Sequence, residues 1–193
     1  MSVQVNEAYR QYTGPAWARE ATTALLNAVD PRYLTRLSAV VLTNSDALTG
    51  TRKHGKTWSR ARKGALNRCL GLYHAPTRTD GAWVEIFVDR VVSSAPIWVW
   101  RIPFLREVIL SKTLYHELGH HIHQTQVPAY REREDVANQW SKRLARGMLR
   151  RRYPILMVVL QTLWWPWLIL QRLRRRTGVM HRTSATMNRD DAT

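Results

Sequence analysis

The sequence predicts an α+β domain: a small antiparallel sheet packed on two consecutive helices, followed by an apolar helix near the C-terminus. Three observations predict it. Apolar residues recur at helical spacing early in the chain and again over two long stretches after residue 105. Short runs rich in branched and aromatic residues, each bounded by turn formers, lie between them. A nearly unbroken apolar run with arginines at both ends comes late. With 193 residues the chain can bury one sizeable core, and its organisation reads as a main domain over 1–152, an apolar Arg-flanked segment over 153–176 and a disordered polar tail over 177–193.

Residues 16–29 place Ala16, Trp17, Ala21, Ala24, Leu25 and Ala28 on one helical face, and Asp30-Pro31 closes that element. Leu37 to Leu42 reads as a strand running into the turn Thr43-Asn44-Ser45-Asp46. Thr49 to Arg68 is strongly basic and glycine-containing and reads as an exposed loop or a short basic helix. Cys69 to His74 and Trp83 to Asp89 read as two strands of a hairpin-like unit. Alternation in the second puts Trp83, Glu85, Phe87 and Asp89 on one face and Val84, Ile86 and Val88 on the other. A Trp-rich stretch from Pro96 leads into a helix from about Leu105 to Gln124. Val127-Pro128 ends it, and a second helix runs from about Arg131 to Arg151.

Charge and cysteine content narrow the classes. The chain has 30 Lys and Arg against 14 Asp and Glu, a formal charge of +16, so its field favours polyanions such as nucleic acid or an anionic membrane. Cys69 is the only cysteine, which excludes an intramolecular disulfide and a cysteine-rich zinc site. The polar Met1 to Arg10 segment has no apolar signal core, so a cytoplasmic location is expected.

The chemistry concentrates at His116-Glu117-Leu118-Gly119-His120. On a helix, residues four apart lie one above the other, so both imidazoles can reach a single zinc ion while Glu117 projects beside them as the catalytic base. A zinc-activated water is far more acidic than a free one, and Glu117 can take its proton and hand it to a leaving amine. A third ligand is expected from Glu134 on the next helix, across the break at Pro128. Asn138, one turn further, is placed to hydrogen-bond a metal-bound histidine. The blander alternatives are ordinary surface histidines and a solvated acidic run in which Glu134 competes with Glu132 and Asp135. Helical phase is read as turning His121 and His123 away from the pair. Gly119 is read as leaving room for a strand across the helix.

These residues resemble the gluzincin zinc peptidases, in particular minimal-domain members and the prenyl-protein and heat-shock membrane endopeptidases. Their pattern, HELGH followed on the next helix by E-x-x-A-[DN], stands here as His116 to His120 and Glu134 to Asn138. The likeness covers about residues 105–150, and Asn138 stands where many relatives carry aspartate. It implies a zincin-like minimal domain over 1–152 that holds one zinc ion and cleaves a peptide or protein substrate. It also implies that an edge strand formed by Trp83, Val84, Glu85, Ile86 and Phe87 binds the peptide by strand addition. Tyr130 and His123 are candidates by position for stabilising the oxyanion.

Ile155 to Leu170 is slightly short for a spanning helix, and Pro166 would kink it. Its tryptophans and flanking arginines suit an anionic membrane surface equally well, and a buried C-terminal helix is the alternative. The competing functional class is a basic nucleic-acid-binding or regulatory protein with a non-catalytic metal site, using Arg52 to Arg68.

Overall fold

A computed structural model describes residues 3–49, 69–78, 80–126, 134–156 and 158. The basic stretch 50–68, Tyr130, Glu132, most of the apolar segment after 156 and the polar tail lie outside the described residues. By its internal contacts the chain divides into two units at 148/149. The strands and helices named below belong to the first, apart from the last turn of one helix.

The fold is mixed α and β. Its elements are β1 (Gln4–Glu7), α1 (Trp17–Asn27), β2 (Leu37–Thr43), β3 (Gly71–His74), β4 (Ala82–Phe87), α2 (Val88–Ser93), α3 (Pro103–Gln126) and α4 (Glu134–Arg152). The strands form one four-stranded sheet in the order β1-β2-β4-β3. It is not the antiparallel sheet expected. β1, β2 and β4 run parallel, and only β3 is antiparallel, to β4. The β3–β4 pair is the hairpin-like unit read from the sequence. The parallel pairing of β2 with β4 joins residues some forty positions apart, which no local pattern encodes.

β1 was not anticipated. Only Val5 of its four residues is buried, so alternation has a single apolar position to show. The β1–α1–β2 connection brings α1 onto the sheet, where Ala18, Ala21, Leu25 and Leu26 are buried. Asp30 ends this unit as expected, its Oδ1 accepting the Arg32 amide at 3.1 Å to cap a 3-10 turn over Pro31–Leu34.

The core lies between one sheet face and helices α1 and α3. β3 and β4 pack against α3; Val84 and Ile86 of β4, their register partners Val40 and Leu42 of β2, and Leu110, Leu114, Leu118 and Ile122 of α3 are all essentially inaccessible. Burying each such side chain contributes about 1.5–3 kcal/mol. Tyr115 carries a polar tip into this layer, and its hydroxyl donates to the Leu25 carbonyl at 3.0 Å, tying α3 to α1.

Two further expectations change. The strand over 83–89 stops at Phe87, and Val88 and Asp89 open α2, where the Asp89 carboxylate accepts the Ser45 amide at 3.1 Å. β4 is also not an edge: it is paired on one side with β2 and on the other with β3. Among the described residues β3 is the outer strand on that side.

Candidate metal centre

The candidate centre is built on α3, a 24-residue helix whose buried residues run from Glu107 to His123, so the apolar side chains that anchor it and the polar groups of the centre share its middle and later turns. His116 and His120 lie one turn apart on it. Their Nε2 atoms are 3.2 Å apart, with the rings nearly perpendicular at 88°. From α4, Glu134 brings Oε1 to 2.9 Å from His116 Nε2 and Oε2 to 3.7 Å from His120 Nε2. One ligand atom from each residue falls within 4.8 Å of the others, so the three can hold a metal ion.

The spacing fits a shared tetrahedral ion. With metal–nitrogen bonds of about 2.0–2.1 Å, two imidazoles on one zinc have nitrogens about 3.3 Å apart. The observed 3.2 Å between nitrogens matches this, and 2.9 and 3.7 Å bracket the corresponding nitrogen–oxygen distance. Burial is graded: the side chains of His120, His116 and Glu134 are 10, 23 and 42% exposed. One side of the group therefore opens to solvent.

Gly119 fixes how α4 delivers Glu134. A Cβ on Gly119 would lie 2.6 Å from the Ala137 carbonyl oxygen, 2.9 Å from its Cα and 3.1 Å from its carbonyl carbon. The room that Gly119 provides is therefore for the α4 backbone and not for a strand. Ala137 is completely buried there, and Glu134, nearly one turn earlier, stands over the histidine pair as a result.

Glu117 is buried, at 7% exposure, on the side of α3 that faces β3. A Cβ on Gly71 would come within 2.9 Å of Glu117 Cγ and 3.1 Å of its Oε1. Thus the β3 backbone runs directly over the Glu117 side chain, and a Cβ at position 71 would displace Glu117 or Thr113. Neither Gly71 nor the Gly119–Ala137 contact was identified from the sequence. A glycine opening a strand pattern was the only available signal.

His121 turns away from the pair, as expected, and is completely buried. Its Nε2 lies 3.0 Å from the Thr35 carbonyl and its Nδ1 3.4 Å from the Tyr73 hydroxyl. Since a carbonyl can only accept, Nε2 carries the proton and Nδ1 accepts from Tyr73. Burial pushes the His121 pKa below its ordinary value, with the Thr35 carbonyl opposing, so it is a neutral core histidine. His123 corrects the phase reading: it follows His120 by three residues and so shares its side of α3, buried at 7% exposure. Asn138 is exposed on α4, and among the described residues no hydrogen bond joins it to either histidine.

The strand expected to bind a peptide is displaced from the centre in a second way. Gly71 and Tyr73 face α3, and with them their register partners Ile86 and Val84. Trp83 and Glu85 consequently project from the opposite face. There Trp83 stacks on His74 at 3.7 Å between ring centroids, and Glu85 Oε2 lies 3.1 Å from His74 Nε2.

No family model, no curated protein and no solved structure matches this chain.

Proposed function

We propose that this protein is a zinc-dependent metallopeptidase that hydrolyses peptide bonds in a peptide or protein substrate through a metal-activated water. One observation carries the proposal. Two imidazoles four residues apart on α3 and a carboxylate from α4 converge at ligand spacing, with a second, buried carboxylate beside them on the same helix. The resemblance of His116–His120 and Glu134–Asn138 to the gluzincin pattern supports the same reading.

His116, His120 and Glu134 would hold one zinc ion, an assignment favoured by an all-imidazole-and-carboxylate donor set of three. Bound there, zinc supplies an acidified water and polarises the scissile carbonyl. Glu117 would take one proton from the attacking water and pass it to the amide nitrogen as the C–N bond breaks; the water's oxygen and second hydrogen would stay on the carbonyl carbon as a carboxylic acid, which ionises in water, and the amine would leave. The position of Glu117 under Gly71 holds its carboxylate to one side of α3 and limits its contact with bulk water.

The substrate lies along β3 and not, as the sequence suggested, along Trp83–Phe87. Among the described residues β3 is the outer strand, and its backbone passes over Glu117, so an extended peptide pairing with Gly71–His74 would run close to that carboxylate. His123, on the ligand side of α3, is the described candidate for the oxyanion.

Metal removal tests the proposal. Purified protein is expected to cleave members of a quenched-fluorescence peptide library, to fall to background after treatment with a zinc chelator, and to recover when zinc is restored. Cleavage that survives complete metal removal contradicts it.

A further inference from the structure

Between Asp89 and Glu107 the chain has no acidic residue, while Arg90, Arg101 and Arg106 bound or interrupt an apolar run. Within that run a 3-10 turn over Ile97–Arg101 leads into α3. Its two tryptophans have opposite fates. Trp100 is buried at 7% exposure, stacked on Trp17 with centroids 5.4 Å apart, and its Nε1 donates to the Val92 carbonyl at 2.9 Å. Arg106 Nε donates to the Trp100 carbonyl, and Val99 is buried beside it. The turn is therefore pinned from below.

Above the pin, Ile97, Trp98 and Ile102 are 81, 58 and 43% exposed. Pro96, Arg101 and Pro103 are exposed with them. Three large apolar side chains held outward by one short, anchored turn is a costly arrangement unless something covers it.

We infer that this turn is a membrane-contact site that inserts Ile97, Trp98 and Ile102 into the surface of an anionic lipid bilayer. Tryptophan prefers the headgroup level, where its ring is half apolar and its indole N–H stays hydrated, and isoleucine gains by reaching the acyl boundary. Arg101 in the same turn and the formal charge of +16 supply attraction to anionic headgroups. A second copy of the chain is the poorer occupant. The turn is too small for the roughly 800 Å² per partner that a stable interface buries, and both copies would carry the same large positive charge. Phosphate groups of a nucleic acid would leave the apolar tips in water. The site is separate from the proposed metal centre, since Pro103 and His116 are about 20 Å apart along the helix axis.

Partition of the full chain onto vesicles of phosphatidylcholine and phosphatidylglycerol tests this, with wild type compared to the double variant Ile97→Ser, Trp98→Ser. A companion form, Trp98→Cys in a Cys69→Ser background, carries a nitroxide label at position 98. The double substitution is expected to weaken partition about tenfold or more. Vesicles are expected to shield the label from a water-soluble quencher, and pure phosphatidylcholine vesicles to bind more weakly. The inference is overturned if the chain does not bind, if it binds neutral vesicles equally well, or if the label stays open to the quencher on vesicle-bound protein, which would assign binding to another segment. Shielding that grows with protein concentration in the absence of lipid would overturn it in favour of self-association.

Discussion

Glu117→Gln is expected to leave metal binding intact while hydrolysis falls by about 10²- to 10⁴-fold, the range over which a positioned proton acceptor contributes. The two side chains have the same shape, and Glu117 is only 7% exposed with the β3 backbone close above it, so the amide occupies the same space. What it loses is the capacity to take a proton. The ligand atoms of His116, His120 and Glu134 are untouched, so zinc content should match wild type and kcat should carry most of the loss. Peptide cleavage measured beside metal content checks this. A Glu117→Gln protein that retains both zinc and activity would remove Glu117 from the chemistry.

The largest structural effect is expected at Gly119. Introducing alanine sets a methyl group 2.6 Å from the Ala137 carbonyl oxygen and 2.9 Å from its Cα, and both are backbone atoms that cannot rotate aside. The helices must separate, and Glu134 moves with α4. Overpacking of this kind costs about 1–3 kcal/mol, read as a lower urea midpoint. Zinc affinity should fall at the same time by at least about tenfold, because ligand geometry is as sensitive as ligand identity. Gly147→Ala is the control. It lies on α4 with nothing within 4 Å of the added methyl, so it should stabilise the helix by up to about 1 kcal/mol and leave zinc alone. Equal behaviour of the two variants would show that the α3–α4 approach does not position Glu134.

The features legible in the sequence are those set by short-range geometry. His116 and His120 fall together because four residues make about one helical turn, and His121 falls away for the same reason. α1 and α3 are legible in their helical spacing and β2 in its run of branched residues, with ends shifted by a few residues, and the second long helix is present over the described residues as α4. What escaped depends on contacts between distant segments. Trp83 to Phe87 reads as a strong strand and so as a peptide-binding edge, but edge position is decided by parallel pairing with β2 across the sheet. The β3–β4 register, with Gly71 and Tyr73 towards α3, puts Trp83 and Glu85 on the other face. Gly119 reads as a packing residue in the sequence, but its neighbour is Ala137 and not a strand, and only the folded chain brings the two together. Trp98 and Trp100 are indistinguishable in sequence, and only the stacking of Trp100 on Trp17 separates a structural tryptophan from an exposed one.

The convergence of Glu134 on the histidines is poorly explained by folding stability. Its side chain is 42% exposed, and a solvent-accessible carboxylate–imidazole pair contributes little. If instead the pair exists to hold an ion, removing it should cost metal and not the fold. Metal content of the purified full chain, wild type beside His120→Ala and Glu134→Ala, is the most direct measurement of this claim. One zinc per wild-type chain, with loss of zinc from both variants while each still unfolds cooperatively, is the predicted result. A wild-type protein that takes up no zinc when supplied with it, or variants that hold it as tightly as wild type, would contradict the account.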